Sequence, residues 1–224
     1  PRELKIASYN VFYELAHRND SKDAATWVDG PTLRHLETLE VDVLVMQEPN
    51  ETWEAALRAT ISERFPHCTF HASARHRPGG LGVCAKGPIL VVATIESPVD
   101  WFPAQRVVVE VAGMQLQILN VPLRPALSGP GRDGDTWQDA NLATRSIRKK
   151  EIAASLGKLG QGVPTLIVGD FNELTGGDLF QSLSASGFAS ALEESGEKAS
   201  TWRWLERPDE LNAQIDHLVF RPAE

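Results

Sequence analysis

The segment Pro164-Thr165-Leu166-Ile167-Val168-Gly169-Asp170-Phe171-Asn172 restricts the possible folds more than any other part of the chain. Leu166, Ile167 and Val168 form a short apolar run, which reads as a strand buried on both faces and therefore calls for layers on either side of its sheet. Gly169 lets the backbone turn where a Cβ would clash. Asp170 and Asn172 then fall at the strand's C-terminal end, the edge at which α/β sheets present groups to a ligand. In isolation, Gly-Asp-x-Asn is equally an Asx-type turn closing a core strand.

Around this strand the chain alternates strands and helices. Leu4 to Tyr9 alternates apolar and polar residues and ends at Asn10, as a strand carrying a polar side chain to its edge would. Residues 11–30 carry no clear period and read as a surface loop. Pro31 opens a helix with Leu33, Leu36 and Leu39 on one face, and Val41 to Met46 is the next strand, ending in Gln47-Glu48. Glu51 to Phe65 reads as a second helix. From Cys68 to Leu119 short strands follow one another, separated at Pro78-Gly79-Gly80, Gly87-Pro88, Pro98 and Gly113. Leu142 to Leu159 is a basic helix, Leu179 to Leu183 a short one, and Ile215 to Phe220 a closing strand. This order predicts two packed sheets with helices outside. A chain of 224 residues, 42% of them hydrophobic, can bury one sizeable core, so a single domain over residues 1–224 is expected.

Charge narrows the function. Lys plus Arg number 22 and Asp plus Glu 30, a net charge of −8, which argues against broad, salt-driven binding to nucleic acid. No apolar run approaches the ~18 residues of a membrane span. The chain opens on Pro1-Arg2-Glu3 without an initiator methionine or apolar leader, so a processed N-terminus is expected and the compartment is left open, cytoplasmic or secreted. Cys68 and Cys84 are too few for a disulfide-built scaffold and read as two buried free thiols, although they fall in candidate neighbouring strands where one bridge is the alternative.

Polar residues end or follow apolar strands at Asn10, Gln47-Glu48, Asp170-Asn172 and Asp216. Carboxylates at strand ends, with no clustered histidines or cysteines beside them, suit a hard, oxygen-loving cation such as Mg²⁺, for which Mn²⁺ can substitute. Such a cation neutralises a phosphate oxygen while another carboxylate activates water.

Asn10 in Ala7-Ser8-Tyr9-Asn10, Glu48 after Val43-Leu44-Val45-Met46-Gln47, Gly169-Asp170-Phe171-Asn172 and Ile215-Asp216-His217 resemble, in order, the motifs of the endonuclease/exonuclease/phosphatase family. This is the DNase I-like superfamily of nucleases, abasic-site endonucleases, neutral sphingomyelinases and inositol-polyphosphate phosphatases. Gly80-Leu81-Gly82-Val83, Leu119-Asn120-Val121 and Arg148-Lys149-Lys150-Glu151 sit where that family has its glycine strand, central strand and following helix. The resemblance implies a four-layer α/β sandwich, two mixed β-sheets packed face to face with helices outside, and a Mg²⁺-dependent phosphodiesterase or phosphatase. It places the metal-binding glutamate on Glu48 with Asn10 beside metal and phosphate, the water-activating aspartate on Asp170, the orienting amide on Asn172, and a supporting aspartate on Asp216. Asn10, Asn120, Arg124, Arg148 and Thr201 complete the expected substrate-binding set.

Two departures from the family pattern stand out. Where members read Asn-Val-His-Leu, this chain reads Asn120-Val121-Pro122-Leu123, so a phosphate-contacting histidine is replaced by proline. The family also ends in a Ser-Asp-His motif on a last strand, whereas this sequence stops at Glu224, which is expected to reflect a missing C-terminal strand. A binding or scaffold module that keeps the fold without the chemistry is therefore the alternative reading. None of His17, His35, His67, His71 and His76 replaces the lost histidine, and His217 should face away from Asp216.

Arg124 to Asn141, with Arg132, Asp133, Asp135, Trp137 and Asp139, reads either as a substrate-contacting loop or as plain surface. Trp101-Phe102 reads as a buried pair or, as in sphingomyelinase-like relatives, a lipid-touching tip. Thr201-Trp202-Arg203-Trp204 reads as a base-stacking run or an ordinary strand. Arg145, Arg148, Lys149 and Lys150 lie on one helix and read as a solvated face. A small phosphorylated molecule, a phospholipid headgroup or a short single strand fits this chain better than long DNA, with no obligate protein partner and a monomeric state expected.

Overall fold

A computed structural model describes residues 3–73, 77–125, 137–197, 200–203 and 212–222. A parallel pair, β1 (Ile6–Asn10) and β2 (Val43–Gln47), is extended by antiparallel β4 (Leu81–Ala85) and β3 (His67–His71) in the order β1-β2-β4-β3. The second sheet takes β5 (Ile89–Ile95), β6 (Ala104–Val111), β7 (Met114–Pro122), β8 (Thr165–Asp170), β12 (Asp216–Arg221) and β9 (Ala189–Ser190), in the order β5-β6-β7-β8-β12-β9. Its β7–β8 pair is parallel and the other pairs antiparallel. Two short strands, β10 (Trp202–Arg203) and β11 (Asn212–Ala213), pair with each other.

Alternation along each strand builds the layers. Val43 and Val45 of β2, Val83 and Ala85 of β4, Val107 and Val109 of β6, Ile118 of β7 and Leu166 and Val168 of β8 form one cluster between the sheets. The intervening residues face outward. Leu44 and Met46 pack under α1 (Gly30–Thr38) and α2 (Glu51–Thr60) through Leu33, Leu36, Trp53 and Leu57. Leu119, Val121 and Ile167 pack under α3 (Trp137–Leu156) and α4 (Asp178–Ala185) through Ile152, Leu179 and Leu183. The result is an α/β sandwich of two mixed sheets face to face with helices outside, as the sequence implies.

Local chemistry sets the helix starts. Asp29 accepts from Thr32 N ahead of Pro31, and Asn50 accepts from Trp53 N, each capping an otherwise orphaned donor. The second helix ends at Thr60, not Phe65, and the third begins at Trp137, ahead of the expected Leu142. The stretch over residues 11–30 is less of a surface loop than its composition suggests. It holds two single 3₁₀ turns, buries Val11 and Val28, and is closed by an Ala16–Val28 bridge. A fifth helix, α5 (Ala191–Ser195), follows β9. Among the described residues no helix is long and apolar enough to cross a membrane.

The expectation of free thiols is overturned, because Cys68 and Cys84 form a disulfide. The β3–β4 register sets them directly opposite each other, with Cα atoms 4.1 Å apart. Register is a property of pairing that spacing alone does not reveal. The bridge closes a loop of 16 residues, and its removal is expected to lower stability by about 3 kcal/mol. Urea unfolding of the protein with and without dithiothreitol, and of Cys68→Ala/Cys84→Ala, checks this through a fall in the midpoint.

Candidate functional site

The inward-facing rows of β1, β2, β7, β8 and β12 come to one edge of the sandwich, where all but that of β7 end in a polar group. In β1 the row is Ile6, Ser8, Asn10; in β2 it is Val43, Val45, Gln47; in β7 it is Ile118, Asn120, Pro122; in β8 it is Leu166, Val168, Asp170; in β12 it ends at Asp216. Register aligns these ends laterally. Asn10 pairs with Gln47, Pro122 with Asp170, and Asp170 with Asp216.

Glu48 follows Gln47 with φ 63°, a left-handed turn that ends the strand. Its N–H donates to Gly80 O at 2.9 Å, and Gly80 is indispensable there because a Cβ would lie 1.8 Å from Pro49 O. The Glu48 carboxylate accepts from Asn10 Nδ2 at 3.0 Å and from Tyr13 N at 3.3 Å. Asn10 Oδ1 in turn accepts from Phe12 N at 3.0 Å.

Across the sandwich, Gly169 adopts φ 138°, where a Cβ would sit 2.2 Å from Val121 O. Asp170 accepts from Asn172 N at 3.0 Å, and Asn172, with φ 49°, donates from Nδ2 to Leu123 O at 2.9 Å. Thr201 Oγ1 accepts from the N–H groups of Ile215 and Asp216 at 3.1 and 3.0 Å and so fixes the start of β12.

The electrostatics are those of carboxylates crowded together in a poorly solvated place. Burial raises the pKa of Glu48, against the pull of Asn10 and Tyr13 and with the charge of Glu14 adding to it. Burial, then the charge of Asp216 and that of Glu48, holds Asp170 well above the usual carboxylate range despite the hydrogen bonds from Asn172. Asp216 is pushed up to about 6 by burial, opposed by Thr201 and reinforced by Glu48. The charges that shift these groups are therefore those of other carboxylates, the condition under which a bound cation is most favourable.

The substrate-binding set expected from the sequence does not gather at this edge as a unit. Asn120 is fully buried and braces the sheets: its Oδ1 accepts from Gln47 Nε2 at 2.8 Å while its Nδ2 donates to Met46 O and Gly82 O. Arg148, read as part of a solvated face, is fully buried as well. It donates from Nε to Glu173 at 3.0 Å and from Nη1 to Thr144 Oγ1 at 2.7 Å and Arg124 O at 3.3 Å. A helix can bury one arginine of a basic run where a carboxylate from elsewhere meets it, and composition does not reveal that partner. Arg124 is half-buried, with its N–H donating to Glu151 and its guanidinium 4.6 Å above the Trp101 ring. Trp101 and Phe102 are a packed, half-buried pair with ring centroids 4.3 Å apart. Thr201 is exposed and caps β12.

Arg132, Asp133, Asp135, Trp204 and His76 lie outside the described residues, and the side chains of Trp137, Asp139 and Arg203 do too. Sequence reading missed Ser8, which donates to Gln47 Oε1 at 3.3 Å, and Glu173 behind the Asp170 loop. The signal for Ser8 was its position two residues before Asn10 on the same strand face.

The donor set fits a hard divalent cation held by few protein atoms. Among the described residues no group of three or more His, Cys, Asp or Glu side chains is placed to hold a metal ion. Glu48 supplies one carboxylate, toward which Asn10 turns its amide nitrogen while its oxygen accepts from Phe12 N–H, and a single carboxylate of this kind suits Mg²⁺, which keeps most of its waters.

The fold and sequence both point to known relatives. Residues 7–224 match the model of the Endonuclease/Exonuclease/phosphatase family. A humanised D. rerio TDP2 carrying 14 mutations is similar at 16% identity and TM-score 0.68, over 99% of this chain and 84% of that one. Sphingomyelinase C from Streptomyces griseocarneus is similar at 18% identity and TM-score 0.67, over 100% of this chain and 86% of that one. An endonuclease/exonuclease/phosphatase from Beutenbergia cavernae is similar at 16% identity and TM-score 0.66, over 98% of this chain and 64% of that one. A comparison with curated protein sequences gives no match. At these identities the structures speak for the fold alone, but the family match spans nearly every residue that builds both sheets and the polar edge between them, and the chain belongs to the Endonuclease/Exonuclease/phosphatase family.

Proposed function

We propose that this chain is a Mg²⁺-dependent hydrolase of phosphate esters, acting as a monomeric single domain over residues 1–224. The observation that carries the reading is the convergence of Glu48, Asp170 and Asp216, from three strand ends in two sheets, into one edge where each carboxyl is raised by burial. Structural carboxylates are seldom grouped at such a loss of solvation without a cation or a proton to share.

Glu48, oriented by Asn10 and by Tyr13 N–H, holds the divalent cation. When bound, that cation neutralises charge on a phosphate oxygen. Asp170 removes a proton from the attacking water. Its raised pKa makes it a better base than an exposed aspartate, and the Asn172 N–H keeps the accepting carboxylate in place. Asp216, raised to about 6, sits beside Asp170, and its negative charge helps to hold the Asp170 pKa up. Asn120 acts at one remove, through Gln47.

The acidic balance of −8 favours a small phosphoester, a phospholipid headgroup or a short single strand over long duplex DNA. Turnover of plasmid, oligoribonucleotide, sphingomyelin and inositol phosphates compared side by side ranks these, and rapid plasmid nicking at physiological salt counts against the preference.

Calorimetric titration with Mg²⁺ or Mn²⁺ tests the cation site. Glu48→Gln is expected to weaken binding by at least the about 10–100-fold seen when an outer-shell partner of a metal is lost. No heat from the unsubstituted protein, together with unchanged turnover in Glu48→Gln, removes the site. One observation supports a second reading, a module that binds without hydrolysing: Pro122 occupies the inner-row position beside Asp170 where relatives would place a histidine. Metal-dependent turnover of bis-p-nitrophenyl phosphate excludes it.

A further inference from the structure

Asp170, Phe171 and Asn172 leave β8 as a short loop, whose Phe171 N–H donates to Ile215 O at 2.8 Å. Three further side chains lie behind it. His217 follows Asp216 and points to the opposite face, where it is buried against Phe171 and Phe180, both edge-on, at centroid distances of 5.4 and 4.6 Å. Its Nε2 lies 2.8 Å from Glu173 O, and because a carbonyl only accepts, Nε2 carries the proton. Burial holds this imidazole neutral, lowering its pKa to about 4.

Glu173 continues outward from the same point. Its Oε2 accepts from Arg148 Nε at 3.0 Å and its Oε1 from Leu179 N at 3.2 Å, at the start of α4. Arg148 closes the circuit by donating to Arg124 O at 3.3 Å, just beyond Leu123, whose carbonyl takes Asn172 Nδ2 and whose N–H donates to Asp170 O at 2.8 Å. Both ends of the loop are thus tied to one buried knot, in which Arg148, Glu173 and His217 are 0%, 2% and 2% exposed. A buried ion pair of this kind is a poor source of net stability compared with apolar residues, but losing either partner leaves an uncompensated buried charge, so the pair constrains the geometry around it.

We propose that His217, Glu173 and Arg148 form a positioning unit that holds Asp170 and Asn172 in reacting geometry, so that turnover depends on side chains that never meet the substrate. The proposal rests on the hydrolase reading given above. It separates the two things His217 supplies, a ring between two phenylalanines and an N–H to Glu173 O. His217→Phe keeps the ring and loses the donor. His217→Gln loses the ring but keeps an amide N–H at the reach of Nε2.

Positioning requires a crossed result. His217→Phe should retain its melting temperature and lose about tenfold or more in kcat, with KM and Mg²⁺ affinity unchanged, while His217→Gln melts earlier but keeps most of its kcat. Should the phenylalanine variant not fold, His217→Asn replaces it against His217→Gln, since both lose the ring and only glutamine reaches the carbonyl. If kcat follows melting temperature across the variants, or is unchanged in His217→Phe, the unit is merely structural and the proposal fails. Amide exchange at Asn172, which donates to Asp170, gives a readout independent of turnover. It should quicken in His217→Phe while the β8 amides stay protected. Were the unsubstituted protein inactive with Mg²⁺ on every phosphoester, the hydrolase reading would fall, and unchanged exchange at Asn172 would separately overturn the positioning unit.

Discussion

Asp170→Asn is expected to lower turnover of a generic phosphodiester by about a thousandfold, within the about 10²–10⁴-fold range of a positioned general base, while leaving the protein as stable or more stable. Asparagine keeps an oxygen to accept from Asn172 N–H, so the loop geometry survives. It removes a carboxylate whose charged form is penalised by burial and by the charges of Asp216 and Glu48. A group whose pKa is raised on folding destabilises the folded state once pH exceeds its unfolded value, and at neutral pH that penalty disappears with the charge. The opposed signs make the measurement decisive. Steady-state turnover with Mg²⁺ and a thermal melt at pH 7 check it, and activity retained in Asp170→Asn would sink the assignment of the base.

The second large effect concerns Pro122. It closes the inward row of β7 and pairs with Asp170 across the parallel ladder, so a side chain there adjoins the proposed base and, one strand further, Asp216. A histidine at this point could donate to a phosphate as charge builds, and such a donor is worth about 3–4 kcal/mol, or about two to three orders of magnitude in rate. The raised carboxyls of Asp170 and Asp216 are ready partners for an imidazolium. Pro122→His is therefore expected to raise turnover, with Mg²⁺ affinity nearly unchanged, and the gain should vanish when combined with Asp170→Asn. The backbone is prepared for the exchange. Proline does not deprive β8 of a bond, since Leu123 N–H donates to Asp170 O at this level. An equal or lower rate in a folded Pro122→His protein would mean that the edge gains nothing from a donor there.

The two predictions also show which parts of the molecule can be read in advance. The apolar run Leu166–Val168, the alternation of β1 and the end of β2 at Gln47-Glu48 carry their layer assignment in the sequence, because side chains alternate with a period of two and burial follows from it. The same arithmetic places Asn10, Gln47, Asp170 and Asp216 at strand ends. Whether they meet depends on strand order and register, and these arise from pairings between residues as far apart as Asn120 and Gln47.

Arg148 illustrates the difference most clearly. In Arg148-Lys149-Lys150 nothing local distinguishes the arginine from its exposed neighbours, yet it is wholly buried because Glu173, from the loop after β8, comes to it. The thiols of Cys68 and Cys84 are likewise anonymous until β3 and β4 align them. Short-range physics, periodicity, capping and turn chemistry therefore determined the elements of this protein and the residue types at its polar edge. Long-range contacts decided which of those residues gather there, which are withdrawn into the core, and how strongly the gathered carboxylates shift one another, because desolvation and charge act through space and not along the chain.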